Sequence, residues 1–154
     1  MYYGLTTKNQ IWEHARAVCD VIGHGKNNVG IQFLQEIAAT ETHSGMLRDR
    51  HATSLGTGLT QIDRETGFAE VMRRTKISTW ENINHNLGIE INVSYEMLAY
   101  SPLLSILFTR LYLLPYPEFP ALRVDRAEYW KKYYNSSAGA GTPEHYLRCC
   151  EEYL

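Results

Sequence analysis

The sequence lacks the features that mark membrane, disulfide-rich or strongly charged proteins. Its longest apolar run, residues 103–114, has twelve residues and contains Arg110, whereas a membrane-spanning helix needs about 20. Three cysteines, with Cys149 and Cys150 adjacent, suit neither a disulfide framework nor a zinc site. Fifteen basic and seventeen acidic residues give a net charge of -2, so nothing indicates nucleic acid or a membrane as partner.

What is present indicates one ordinary folded domain. The chain has 154 residues, of which 44% are hydrophobic and 21% charged, as is typical of globular proteins. No repeat or linker divides it, so we expect a single domain over residues 1–154. The N-terminus has no apolar segment followed by a small-residue cleavage site, which predicts synthesis in the cytoplasm without a signal peptide.

Apolar periodicity and capping signals predict a mostly helical chain with one short extended segment. Thr7 and Thr142 are the predicted N-caps of the first and last helices. Residues 42–57 have no helical period and predict a long loop, of the kind that is often functional. Residues 58–63 (GLTQID) alternate in a way that favours a strand or hairpin arm. The fold is therefore predicted to be α+β. The predicted helices span residues 8–22, 29–41, 65–74, 79–99, 102–114, 124–134 and 143–153.

Glu41 is a carboxylate on the apolar side of a predicted helix. It lies seven residues after Leu34 and four after Ile37, which places the three side chains on one helix face. It also lies at the helix end where the dipole is negative. Burial and the dipole both favour the protonated carboxyl. Taken alone, periodicity more often indicates a helix-end glutamate with its carboxylate in water, so the interpretation depends on the neighbouring sequence.

Two segments near Glu41 resemble motifs of a known family. ETHSG begins at Glu41, and GLTQID ends at Asp63, 22 residues later. This order resembles the goose-type lysozymes and lytic transglycosylases of the lysozyme superfamily, and the firm match covers residues 33–63. The resemblance implies a predominantly helical, lysozyme-like domain with a small β-hairpin beside a catalytic cleft. It also implies cleavage of bacterial peptidoglycan glycan strands between N-acetylmuramic acid and N-acetylglucosamine.

The resemblance implies that Glu41 is the general acid and leaves the second catalytic group open. Asp63 is the leading candidate to activate a water, and Asp49, in the predicted loop, is the other. In an inverting glycosidase the two carboxyl groups stand about 6.5–9.5 Å apart. Alternatively Glu41 acts alone, as in lytic transglycosylases, where the 6-hydroxyl of N-acetylmuramic acid attacks and a 1,6-anhydro product forms.

Other residues near these motifs are expected to bind the sugar chain. The segment at Tyr134 and Asn135 resembles a transglycosylase segment whose tyrosine lines the cleft, although Tyr133 could serve instead. His43 matches a family histidine that is either structural or orients the substrate. The side chains of Thr60 and Gln61 offer hydrogen bonds to acetamido groups, and glycine allows close backbone approach. The predicted substrate-binding residues are His43, Gly58, Thr60, Gln61, Tyr134 and Asn135.

The partners follow from the same resemblance. No HExxH pair occurs and the cysteines are poorly placed, so we expect neither a metal nor a cofactor. The predicted lack of a signal peptide suits a phage-type enzyme that acts on the cell wall, carried in the virion with other virion proteins or released at lysis. One rival interpretation is a non-catalytic virion structural or glycan-binding module with this fold. Another is an unrelated helical interaction domain in which the motifs co-occur by chance.

Overall fold

The structure is a computed structural model that describes residues 1–48, 56–136 and 139–154. It is mostly helical, which confirms the helical part of the predicted fold. Two π-helical segments, Arg64–Ala69 and Lys131–Asn135, and a 3-10 segment, Tyr95–Ala99, adjoin the α-helices. The α-helices of the described residues are α1 (Asn9–Ile22), α2 (Gly30–Thr42), α3 (Glu70–Arg74), α4 (Ile77–Leu87), α5 (Pro102–Leu113), α6 (Arg123–Trp130) and α7 (Pro143–Tyr153).

Hydroxyl caps explain where two of these helices begin. The Thr142 hydroxyl oxygen accepts a hydrogen bond from the His145 backbone N–H at the start of α7, as predicted. The Ser101 hydroxyl accepts from the Leu104 N–H and does the same for α5. The prediction of Thr7 as the cap of α1 is wrong. The helix begins at Asn9, and the Thr7 N–H donates to the Gln10 side chain instead.

The predicted helix over residues 79–99 is wrong in its second half. The helix α4 ends at Leu87 because Gly88 adopts a left-handed conformation with φ of 66°, a backbone state that ends helices and that glycine tolerates best. Residues 89–94 are irregular, and only the short 3-10 turn Tyr95–Ala99 follows. The apolar pattern of residues 79–99 thus runs across two separate segments, and Gly88 ends the first of them.

The predicted β-hairpin is also wrong, because the described residues contain no β-strand. Thr57 and Ile62 form one antiparallel bridge with backbone hydrogen bonds of 2.9 and 3.0 Å. The residues between them make a tight turn. Leu59 and Thr60 are neighbours and both are fully buried, whereas a strand would send them to opposite faces. The apparent alternation in GLTQID therefore reflects a buried turn.

Substitutions at Gly58 and Gly88 separate two costs of replacing a glycine, which are backbone strain and steric overlap. Both have positive φ, but a Cβ at Gly58 would overlap Ser105 Oγ and approach Leu98 O, whereas nothing lies within 4 Å at Gly88. We expect Gly88→Ala to lower the free energy of unfolding by about 1 kcal/mol through backbone strain alone. We expect Gly58→Ala to lower it by about 3 kcal/mol, because overlap adds to strain. Urea denaturation of both variants measures the difference, and equal losses would contradict the buried turn.

The helix α2 is central and carries the predicted acid at its end. It packs against α1, α5 and α7. One side of it contributes Leu34 and Ala38 to a first apolar cluster, and another side contributes Phe33 and Ile37 to a second. Its C-terminal end is therefore enclosed by other elements. In the described ranges, no helix is both long and apolar enough to cross a bilayer.

Candidate functional site

Glu41 lies in the last turn of α2 and is partly buried. The helix ends at Thr42, and the next residue, His43, takes a left-handed conformation with φ of 51°. The backbone N–H of His43 donates to Ala39 O and that of Ser44 donates to Ala38 O, which satisfies two of the last carbonyl groups of the helix. This cap fixes the direction in which the chain leaves the helix after Glu41.

The Glu41 carboxyl group has one hydrogen-bond partner among the described residues. The indole N–H of Trp130, at the end of α6, donates to Glu41 Oε1 over 3.0 Å. Burial raises the pKa of Glu41 from 4.5 to about 7, and the Trp130 hydrogen bond lowers it only in part. Near neutral pH, a large share of the molecules therefore holds this carboxyl protonated.

Tyr134 belongs to the same site. Its hydroxyl donates to Thr60 O over 2.7 Å and lies 3.2 Å from Thr109 Oγ1. Burial raises the pKa of Tyr134 well above its ordinary range, and the nearby Glu41 carboxylate raises it further. The Glu41 and Tyr134 side chains are thus close enough to interact electrostatically. The structure brings together the predicted acid and a predicted cleft tyrosine, which come from different helical segments.

The turn of residues 58–61 contacts this site mainly through its backbone. The Thr60 hydroxyl is buried, donates to Ser105 O and accepts from Thr109 Oγ1. The Gln61 side-chain amide donates to Gly58 O over 3.0 Å, and Gln61 is only partly buried. The structure therefore assigns the Thr60 side chain to packing and leaves part of Gln61 accessible. Sugar binding by Gly58, Thr60 and Gln61 stays a prediction.

Asp63 caps the helical segment that follows it. Its Oδ1 accepts hydrogen bonds from the Glu65 N–H at 2.9 Å, the Thr66 N–H at 2.7 Å and the Thr66 hydroxyl at 2.8 Å. Burial raises the pKa of Tyr112, and the Asp63 charge adds to that shift, so Asp63 faces Tyr112. Asp63 thus has a structural role here, and the structure gives no pairing between it and Glu41. Asp49 lies outside the described residues.

His43 and Asn135 both make structural contacts. The His43 ring stacks on Tyr153, with ring centroids 4.1 Å apart and planes inclined by 7°. The Asn135 Oδ1 accepts a hydrogen bond from Lys131 Nζ over 2.9 Å, four residues earlier in the same segment. Each residue lies in one of the two segments that meet at the site, and these contacts are with other protein groups. Their binding of substrate remains a prediction.

Two important residues, Glu36 and Trp130, were not identified as site residues by the sequence analysis. Trp130 lies four residues before Tyr134, a spacing that indicates one helix face packed on the core. Trp130 is indeed only 1% exposed. This spacing could have identified Trp130 as a site residue, because side chains on one helix face approach the same neighbours. Both Trp130 and Tyr134 lie near Glu41.

Glu36 is the other glutamate of α2, five residues before Glu41, and is fully buried. Its carboxylate accepts hydrogen bonds from Arg126 over 2.7 and 2.8 Å, from Arg123 over 2.9 Å and from the Tyr146 hydroxyl over 2.7 Å. Burial alone would raise the pKa of Glu36, but the bonds from Arg126, Tyr146 and Arg123 outweigh it and hold the pKa below its ordinary value. Glu36 therefore stays ionised near neutral pH, where Glu41, five residues later, is partly protonated.

The raised pKa of Glu41 predicts a pH-dependent gain in stability for Glu41→Gln. The folded protein binds this proton more tightly than the unfolded chain, so the stabilisation is complete below pH 4.5 and is lost as pH rises through about 7. Glutamine does not titrate. We compare the free energy of unfolding of Glu41→Gln with that of the wild type at each pH. Between pH 4 and a pH above 7.5, we expect the difference to shift in favour of the variant by up to about 3 kcal/mol. Thermal unfolding at both pH values checks this, and a constant difference would contradict a raised pKa.

Comparisons with known proteins do not place this chain in a family. No family model, no curated protein and no solved structure matches it. Within the described part of the chain, no three His, Cys, Asp or Glu side chains are grouped to hold a metal ion. The site is therefore interpreted from its own geometry.

Proposed function

We propose that this protein cleaves the glycan strand of bacterial peptidoglycan between N-acetylmuramic acid and N-acetylglucosamine, with Glu41 as general acid. The observation that carries the proposal is a partly buried carboxyl group at the end of α2, bonded on one oxygen by the Trp130 N–H, whose pKa burial raises to about 7. Glycosidic cleavage near neutral pH needs an acid that is still protonated there, to protonate the leaving oxygen as positive charge develops on the sugar. The resemblance of ETHSG and GLTQID to goose-type lysozymes and lytic transglycosylases supports the choice of substrate.

The position of Asp63 favours the route with one carboxyl group. Asp63 Oδ1 is held by three hydrogen bonds at the start of the next helical segment, which suits a cap better than a base that activates water. In the one-carboxyl route, Glu41 first gives its proton to the glycosidic oxygen, and the bond between this oxygen and C1 of N-acetylmuramic acid breaks. The resulting carboxylate then accepts the proton of the C6 hydroxyl, whose oxygen attacks C1 and closes a 1,6-anhydro ring. No water is consumed.

Product analysis tests this route. Purified peptidoglycan is incubated with the wild type, and the released muropeptides are analysed by mass spectrometry. Anhydro ends, lighter by one water than reducing ends, are expected from the one-carboxyl route. Reducing ends would instead support lysozyme chemistry with an activated water. No release from any of several wall types would favour a non-catalytic structural or glycan-binding module of a phage virion.

The variant Asp63→Asn separates the two catalytic routes. Asparagine retains the side-chain oxygen that caps the helical segment, so the fold is expected to persist while the charge is lost. In the one-carboxyl route we expect a rate within about threefold of the wild type. A base that activates water contributes roughly 10²–10⁴-fold, so a loss of that size would assign this role to Asp63. Rates of muropeptide release, measured beside circular dichroism spectra, provide the comparison.

A further inference from the structure

The hydrogen bond between Trp130 and Glu41 distinguishes the two oxygens of the carboxyl group. The indole N–H is a donor only, so Glu41 Oε1 must act as the acceptor in this 3.0 Å contact. A proton on the same carboxyl group is therefore favoured on Oε2. Among the described residues no hydrogen bond engages Oε2, and Glu41 is only partly buried.

The indole group is itself held firmly from two sides. Its ring lies 5.5 Å from the Tyr146 ring, and the Tyr146 hydroxyl donates to Glu36 within the buried ionic cluster. On another side, a Cβ at Gly141 would overlap the indole edge. Trp130 is 1% exposed. A donor enclosed in this way has little freedom to follow the carboxyl group if the carboxyl rotates.

We propose that Trp130 is a positioning residue that keeps Glu41 Oε1 as the hydrogen-bond acceptor and Oε2 as the oxygen that carries and releases the proton. This inference rests on the proposed function, because it assigns the proton-bearing atom of the same acid. The ion cluster of Glu36, Arg123 and Arg126 meets the indole ring through Tyr146, whose hydroxyl donates to Glu36. Loss of the indole N–H should therefore alter the titration of Glu41 without removing the acid.

Other titratable groups lie near Glu41, and their effects can be distinguished from the titration of its carboxyl group. Burial raises the pKa of Tyr134 and of Cys149, and the Glu41 charge contributes to both shifts, so both groups stay neutral at neutral pH. His145 Nε2 lies 3.6 Å from Cys149 Sγ, and His43 lies two residues after Glu41 in the sequence. The variant Glu41→Gln separates these two histidines from Glu41, because it removes only the carboxyl titration.

The indole N–H resonances provide a test that needs no catalysis. The chain has three tryptophans. Trp12 is 39% exposed, and Trp80 Nε1 is buried with no hydrogen-bond partner among the described residues, so both serve as internal controls. In nitrogen–proton correlation spectra between pH 5 and 9, we expect the Trp130 resonance to shift with a midpoint near 7, and this shift to vanish in Glu41→Gln. A flat Trp130 resonance in the wild type would overturn the inference.

The variant Trp130→Phe tests the effect on the acid directly. A hydrogen bond to the carboxylate is lost, so we expect the pKa of Glu41, followed by carbon-13 NMR of its carboxyl group, to rise by about one unit. The upper limb of the pH–rate profile should rise equally. The control Tyr129→Phe removes a hydrogen bond to Pro117 O from the same helix and should change neither. An unmoved pKa in folded Trp130→Phe would refute the positioning role.

These outcomes separate the inference from the function on which it rests. If the Trp130 resonance and the Glu41 titration behave as expected but no glycan is cleaved, the proposed function fails and the hydrogen-bonded pair stands. If glycan is cleaved through Glu41 and Trp130→Phe leaves the pH–rate profile unchanged, the function stands and the positioning role fails.

Discussion

Glu41→Gln is expected to reduce glycan cleavage by about 10³-fold or more, because proton transfer by a positioned acid contributes roughly 10²–10⁴-fold. Glutamine has nearly the same shape, and its amide oxygen can still accept the Trp130 N–H. It cannot supply a proton to the leaving oxygen. The rate of muropeptide release from purified peptidoglycan measures the loss at a pH near 6, where most of the wild-type Glu41 is protonated.

The matched control is Glu128→Gln. Glu128 is exposed on α6, two residues before Trp130, so this is the same chemical substitution at a position that leaves the acid unchanged. We expect it to leave the rate unchanged. A Glu41→Gln protein that cleaves at the wild-type rate, while keeping the wild-type circular dichroism spectrum, would refute the assignment of the general acid.

The largest expected loss of stability follows from Glu36→Gln. The change leaves the buried guanidinium of Arg126, which is 1% exposed, without its anionic partner. Removing one member of a buried ion pair typically lowers the free energy of unfolding by about 3–5 kcal/mol. We expect a loss in that range, together with loosened packing of α6 and α7 on α2. Urea denaturation at pH 7 gives the value.

An exposed pair provides the control for this result. Glu70 and Arg73 form an ion pair three residues apart, and 72% of the Arg73 side chain is exposed. Exposed pairs contribute little because water already solvates both charges. We expect Glu70→Gln to shift the urea midpoint far less than Glu36→Gln does. Similar shifts for the two variants would mean that the Glu36 cluster does not stabilise the fold.

Local rules predicted much of the helical part of the fold. The bounds of α7 follow from Thr142, from Pro143 at the first turn and from the periodic pattern that ends at Tyr153. Such signals act within about one turn of helix, so one sequence is enough to locate them. The same reasoning failed for residues 79–99, where Gly88 ended α4 before the apolar pattern stopped.

The turn of residues 58–61 shows why the β-hairpin prediction failed. Alternation in six residues does not reveal whether the chain extends or folds back. Leu59 and Thr60 are both buried because α5 lies beside the turn, with Ser105 and Thr109 bonded to it. Those bonds join residues more than forty positions apart in sequence. Only the packed protein could favour the turn over the strand.

Helical periodicity in the sequence is enough to predict a mostly helical chain and to place Glu41 near the end of α2, on the helix face of Leu34 and Ile37. Helical periodicity and caps are local, and they place a side chain on a face. The tertiary structure alone decided the state of that carboxyl group, because Trp130 and Tyr134 approach it from other segments. It also explains why Glu36 stays ionised near neutral pH while burial keeps Glu41 partly protonated. Both lie on α2, but the arginines that meet Glu36 come from α6, and nothing local in the sequence pairs them.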